Sequence, residues 1–241
     1  MRYSEVDDSY VLHSLSGDER VLKAQCRHVI TTDFAVSKTA EADYTVFLTW
    51  AVTPKMDFLL LDIVRDKLEA PDSEELLWNM AMALKRLWTV VIEDVAYQKS
   101  IIQRMRRGTP VQKGAFRKGI PVTAFRPMSD KTSRAQSISV WFKSGNFYFN
   151  SNIASFADYK KELTSFPRGT HDDMVDATTI TQALFEYGEP RMSNFDDYDE
   201  VEQMLLEEAA IEEIREVNSD LADFLMDDSI DEYGDTTAYF W

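Results

Sequence analysis

Three carboxylates, Asp172, Asp173 and Asp176, fall within five positions at the head of an apolar pattern that runs through Val175, Ala177, Ile180, Ala183 and Leu184. They follow directly on Pro167-Arg168-Gly169-Thr170-His171. Glycine breaks the preceding segment and Thr170 stands where a cap is expected, so the spacing predicts a helix over about 171 to 187. Acids packed this closely repel one another unless something neutralises them, and a divalent cation shared by carboxylates is the usual solution in phosphoryl-transfer chemistry. A second reading needs no metal. Thr170 with Asp173 three residues on has the pattern of a capping box, and the helix dipole favours acids in a first turn. Chemical use of these acids requires others brought to them from elsewhere in the chain.

Two upstream segments supply carboxylates in a matching context. The β-branched run Arg27-His28-Val29-Ile30-Thr31-Thr32 carries Asp33 at its end, followed by a polar loop from Ser37 to Ala42 and a second strand over Tyr44 to Val52. The run Thr89-Val90-Val91-Ile92 ends on Glu93 and Asp94 and leads into a helix from about Gln98 to Arg107. Alternation along a strand puts Val91 and Glu93 on one face and Ile92 and Asp94 on the other, so at most one of the two acids can easily face a shared site.

The order of Asp33 on a first strand, Glu93-Asp94-Val95-Ala96 on a later one and His171-Asp172-Asp173-Met174-Val175-Asp176-Ala177 on a late helix resembles the nuclease domain of the large terminase subunits of tailed double-stranded DNA bacteriophages. The stretches Asp33-Phe34-Ala35-Val36-Ser37-Lys38 and Ala42-Asp43-Tyr44-Thr45 are similar to that family's first strand, loop and second strand, and the resemblance spans roughly residues 27 to 187. It implies an RNase H-like α/β fold and a metal-dependent endonuclease that cuts concatemeric double-stranded viral DNA during genome packaging in the host bacterial cytoplasm. By the same resemblance Asp33, Glu93 and Asp172 are the catalytic carboxylates and ligate two Mg²⁺ or Mn²⁺ ions, with Asp173 as a further ligand. Asp94 and Asp176 are secondary candidates; Asp176 sits one turn beyond Asp172 on the same helix face. One ion would activate water and the other stabilise the leaving 3′ oxygen. Implied partners are the portal protein, the small terminase subunit and an ATPase motor domain. Two other classes stay open: a junction resolvase or transposase-type nuclease on the same fold, and a non-catalytic DNA-binding or assembly module.

The remaining elements fit a mixed sheet flanked by helices. Strands at about 27 to 35, 44 to 52 and 57 to 65 with short polar connections predict an antiparallel meander. A helix starts at Pro71-Asp72-Ser73 and buries Leu76, Leu77, Met80, Leu84 and Leu87. A strand over Pro121 to Phe125, a helix from about Asp130 to Phe142, a short strand at Phe147 to Phe149 and a helix near 153 to 163 complete the domain, assigned to residues 27 to 191.

Charge is unevenly spread. Of 42 acidic residues, 17 lie in residues 192 to 241 beside one base, Arg215, so the rest of the chain is neutral. That stretch is read as an acidic amphipathic helical tail, with Ala210, Ile214, Val217, Leu221 and Phe224 as its stripe, for docking on the body or on a partner. Between residues 99 and 134 ten bases face the single acid Asp130. Of these Arg104, Arg106, Arg107, Lys113, Arg117 and Lys118 are the candidates for holding DNA phosphates, the alternative being a solvated helix face and loop. Gly108 and Gly114 to Gly119 predict a loop or hairpin over Thr109 to Ile120.

One cysteine, Cys26, excludes an internal disulfide, and no apolar segment reads as a membrane span. The spacing of His13, His28, His171 and Cys26 does not suit zinc. No Gly-x-x-x-x-Gly-Lys-Ser/Thr phosphate loop is present, so the chain is expected to be a C-terminal nuclease part without the motor, and residues 1 to 26 an N-terminal extension or linker remnant.

Overall fold

Alternation along two adjacent strands decides the architecture. In the computed structural model, which describes residues 1–35, 44–95, 98–110 and 116–186, Val29 packs on one face of the sheet and Ile30 on the other. Val91 likewise faces one side while Val90 and Ile92 face the other. The polar loop from Ser37 to Ala42, Lys113 and the acidic tail lie outside the described residues.

The chain opens with β1 (Arg2–Val6), β2 (Ser9–Ser14) and β3 (Gly17–Leu22), an antiparallel three-stranded sheet. The central sheet begins with β4 (Arg27–Asp33), β5 (Thr45–Val52) and β6 (Phe58–Asp66), which pair antiparallel as expected. Then come α1 (Ala70–Ala83), β7 (Leu87–Glu93) and α2 (Gln98–Arg107). Two-residue strands β8 (Thr109–Pro110) and β9 (Phe116–Arg117) pair antiparallel, and β10 (Val122–Phe125) follows. The last elements are α3 (Lys131–Ser144), β11 (Phe147–Tyr148), α4 (Phe156–Ser165), α5 (Asp173–Thr179), a 3-10 turn at Ile180–Gln182 and α6 (Ala183–Glu186). The six strands of the central sheet run in the order β10-β7-β4-β5-β6-β11; β7 is parallel to β4, β10 to β7 and β11 to β6.

Every residue of β5 is buried, as a central strand covered on both faces must be. On one face Leu77 and Trp78 of α1 and Ile101, Ile102 and Met105 of α2 close over Ile30, Phe47, Val90 and Ile92. On the other, Ile138 of α3, Tyr159 of α4, Met174 and Ala177 of α5 and Leu184 of α6 close over Val29, Leu48, Trp50 and Val91. Trp50 satisfies its buried indole by donating to Thr31 Oγ1 at 3.0 Å, and Thr32 donates to the Val91 carbonyl at 3.1 Å. Gly119 has a steric reason: a Cβ there would lie 2.2 Å from the Arg106 carbonyl oxygen at the end of α2.

Three expectations need correction. Residues 1 to 26 are an extension but not a linker: Tyr3, Tyr10, Leu12, Val21 and Cys26 bury themselves against Ala51, Leu59 and Tyr148, and the Tyr3 hydroxyl donates to the Leu60 carbonyl. The helix from Pro71 stops at Ala83 rather than Leu87, because Leu87 already belongs to β7 and Leu84 turns to extended backbone to reach it. The segment 171 to 187 is not one helix. Thr178, Thr179 and Thr181 turn their hydroxyls back onto the carbonyls of Met174, Asp176 and Thr178, and threonines that bond back this way disturb a helix, here breaking it at the 3-10 turn.

Candidate active site

Strand parity carries Asp33 and Glu93 to one place. Val29, Thr31 and Asp33 alternate onto the face covered by α3 and α5, as do Val91 and Glu93. The parallel register of Thr31 with Val91, continued two residues, brings the two acids level at the ends of adjacent strands. Asp94 follows the last residue of β7, where its N–H donates to the Phe125 carbonyl at 2.6 Å, and it has the parity of the opposite face.

The third element is α5. Its start is built differently from the expected capping box: the cap position is Asp172, with no side-chain cap bond, and neither Thr170 nor Asp173 closes the pattern. A remote carboxylate does the capping. Glu162 of α4, 6% exposed, accepts the N–H groups of Met174 at 2.6 Å and Val175 at 3.4 Å, the donors a local cap would have taken. Arg65 Nη2 balances this buried acid, 3.5 Å from Glu162 Oε2 and 3.7 Å from Asp173 Oδ2. Its guanidinium lies 3.9 Å from the centre of the Tyr44 ring. Sequence reasoning missed Glu162 and Arg65; nothing local marks a cap supplied from another helix.

The three acids of this segment diverge. Asp173 is 3% exposed and turned toward Arg65. Asp172 and Asp176 both meet the ammonium of Lys131 at the start of α3, each at 2.5 Å, and Arg134 Nη2 lies 3.3 Å from Asp176 Oδ1. Burial, reinforced by the negative charges of Asp176, Asp173 and Glu93 and opposed by Lys131, raises the Asp33 carboxyl well above the usual carboxylate range. Burial also raises Glu93, against the pull of Arg134, and raises Asp176 despite its contacts with Lys131. Asp33, Glu93, Asp173 and Asp176 thus form one electrostatic group, with Asp172 at its solvent edge, 47% exposed. Among the described residues no three His, Cys, Asp or Glu side chains are drawn together as a closed metal cage. Lys131 joins Asp172 to Asp176, and Arg134 adds a second base on Asp176. An apolar cavity of about 820 Å³ is lined by none of these acids but by Phe142, Phe149, Phe156, Tyr159 and Leu163 among others, with Thr132 and Val175 at its wall.

The basic stretch is mostly committed within the fold. Arg104 forms a two-pronged pair with Glu74, Arg106 donates twice to the Val122 carbonyl, and Arg117 sits 5.3 Å from the Trp78 ring centre and 3.9 Å from Glu75. Arg107 and Lys118 are exposed.

A family model described as the terminase RNaseH-like domain matches residues 30–184, the span that holds β4, β7 and α5. The chain belongs to this family. Its mixed sheet with helices on both faces is accordingly an RNase H-like fold, and the chain is a terminase nuclease domain by family. Among solved structures it is similar to the manganese-soaked human cytomegalovirus terminase nuclease domain, with 13% identity and a TM-score of 0.46 over 77% of this chain and 90% of that one. An inhibitor-bound, manganese-soaked structure of the same viral domain gives 13% identity and a TM-score of 0.43 over 67% and 83%. No curated protein matches. The family match, not these distant likenesses, carries the assignment. Among the described residues no helix is long and apolar enough to cross a membrane.

Proposed function

We propose that the chain is a divalent-metal-dependent DNA endonuclease of the packaging-terminase type, acting at Asp33, Glu93 and the acids of α5. The observation that supports it most is the parallel register that brings Asp33 and Glu93 level at the ends of β4 and β7, with Asp173 and Asp176 of α5 close enough that their charge, with burial, pushes the Asp33 carboxyl up. A fold that keeps such repulsion stores a demand for positive charge. Carboxylate oxygens are the donor chemistry of Mg²⁺ and Mn²⁺, so the residues fit the ion type. We assign Asp33, Glu93 and Asp176 as the principal ligands, with Asp172 at the open edge and Asp173 anchored by Arg65 as support. Asp94 falls outside this set.

Bound metal, as one or two ions, supplies the charge that lowers the pKa of an attacking water and stabilises the leaving 3′ oxygen of a phosphodiester. The chain's own groups do the rest. Asp33 and Glu93 project from strands fixed by sheet hydrogen bonds, so their separation does not depend on a loop. Asp176 is positioned by the Glu162 cap on α5. Exposed Arg107 and Lys118 are bases available to a DNA backbone, contacts that orient a duplex without reading its sequence. Concatemeric viral DNA as substrate, and an ATPase motor, a small terminase subunit and a portal as partners, complete the proposal in a bacterial host.

The test is cleavage of supercoiled, linear and four-way-junction DNA with and without Mn²⁺. Wild-type chain should nick supercoiled and linear DNA only with metal, and Asp33→Asn, Glu93→Gln and Asp176→Asn should each lose at least about a hundredfold in rate, roughly 3 kcal/mol of transition-state stabilisation. Full activity in any one of them would remove that residue from the site, and a strong preference for the junction would favour the resolvase reading.

A further inference from the structure

We propose that Lys131 is a built-in counter-cation of the acidic site, holding the place of the divalent metal and setting how much metal is needed to displace it. The inference rests on the proposed role of Asp172 and Asp176 as metal-site acids. The Lys131 ammonium touches both at once, 2.5 Å from Asp172 Oδ2 and 2.5 Å from Asp176 Oδ2. A single positive group joining two carboxylates one helix turn apart does what a bridging cation does. Its position is not explained by its own helix. Lys131 is the first residue of α3, where the helix dipole disfavours a cation, and the start of that helix is already secured by Asp130, which accepts the Ser133 N–H. The acids of α5 hold it there.

Displacement is sterically simple. Lys131 is 32% exposed, and its flexible stem lets the ammonium swing into water while the stem stays packed. Arg134, one turn on and only 12% exposed, meets Asp176 Oδ1 through Nη2 while its Nη1 donates to the Ser129 carbonyl at 3.1 Å, so it is held at two points and is the fixed member of the pair.

Mn²⁺ titration of the full chain by calorimetry, without DNA and without reference to activity, tests the idea. Binding lost on Asp33→Asn defines the ions that belong to the site. Lys131→Met should tighten that binding about tenfold, lower the melting temperature of the metal-free protein and enlarge the rise in melting temperature on adding Mn²⁺. Lys131→Gln should act in the same direction, and Lys143→Met, an exposed base at the far end of α3, should change neither quantity. Site binding that is unchanged or weaker in both Lys131 variants would overturn the counter-cation and leave the metal site standing. Absence of any Asp33-dependent Mn²⁺ binding in wild type and variants alike would overturn both.

Discussion

At Asp33 crowding and burial act together, and the sign of their effect on stability is opposite to that of an ordinary surface acid. A carboxyl raised in the fold binds its proton more tightly folded than unfolded. Its stability contribution is therefore full below the unfolded value near 3.8 and is lost as pH rises toward the folded value. Metal-free Asp33→Asn should melt above wild type at pH 7, and the gain should vanish near pH 4; calorimetry across that range reads it. A variant that melts lower at every pH would mean that Asp33 makes an attractive contact instead. The convergence of Asp33 and Glu93 at adjacent strand ends was legible in the amino-acid order, because Val29, Thr31 and Asp33 share a parity with one another, as do Val91 and Glu93. Parity alone left Glu93 and Asp94 as alternatives, since it fixes only that they point to opposite faces. What the sequence could not display was the pairing of Lys131 with Asp172 and Asp176, contacts across some forty residues that depend on how α3 meets α5.

Helix α5 is short, and its first turn is held from outside. Removing Glu162 leaves the buried N–H of Met174 without its acceptor and takes one acid from Arg65, which is 18% exposed. Glu162→Ala should cost about 3 kcal/mol, roughly 6–12 °C in melting temperature for a domain of this size, whereas Glu162→Gln keeps an acceptor and should cost about 1 kcal/mol. Equal losses in the two variants would show that charge, not capping, is the contribution. The apolar stripe through Val175, Ala177 and Ile180 foretold a helix here correctly, since periodicity is a local property. Its break at Ile180–Gln182 came from threonine hydroxyls, and its cap came from α4; Thr170 looked like a cap only because local sequence offers no other candidate.

For the molecule as a unit, Met1–Glu189 is compact, and the N-terminal sheet belongs to it. Deleting residues 1 to 26 would uncover Ala51, Leu59 and Tyr148. The loss should be at least roughly 3 kcal/mol, because burial of Tyr3, Tyr10, Leu12 and Val21 at about 1.5–3 kcal/mol each is offset only in part by the entropy of ordering the segment. Unchanged melting of the deletion would return this segment to the status of a linker. The sheet was hard to read because its strands are short and polar, β3 burying only Val21; the available signal was Tyr10 alternating with Leu12 ahead of the Ser16-Gly17 turn. The meander and α2 were legible from their own apolar periods, whereas α3, which buries only Ile138, was legible from the Asp130 cap at its start. In the proposed function β4, β7 and α5 assemble one metal-binding catalytic centre. Anomalous diffraction at the manganese edge from crystals of the full chain soaked in Mn²⁺ tests it most directly. A peak is expected in contact with the carboxylates of Asp33, Glu93 and Asp176, with the Lys131 ammonium moved off Asp176; manganese bound only elsewhere, with Lys131 still bridging Asp172 and Asp176, would refute such a centre.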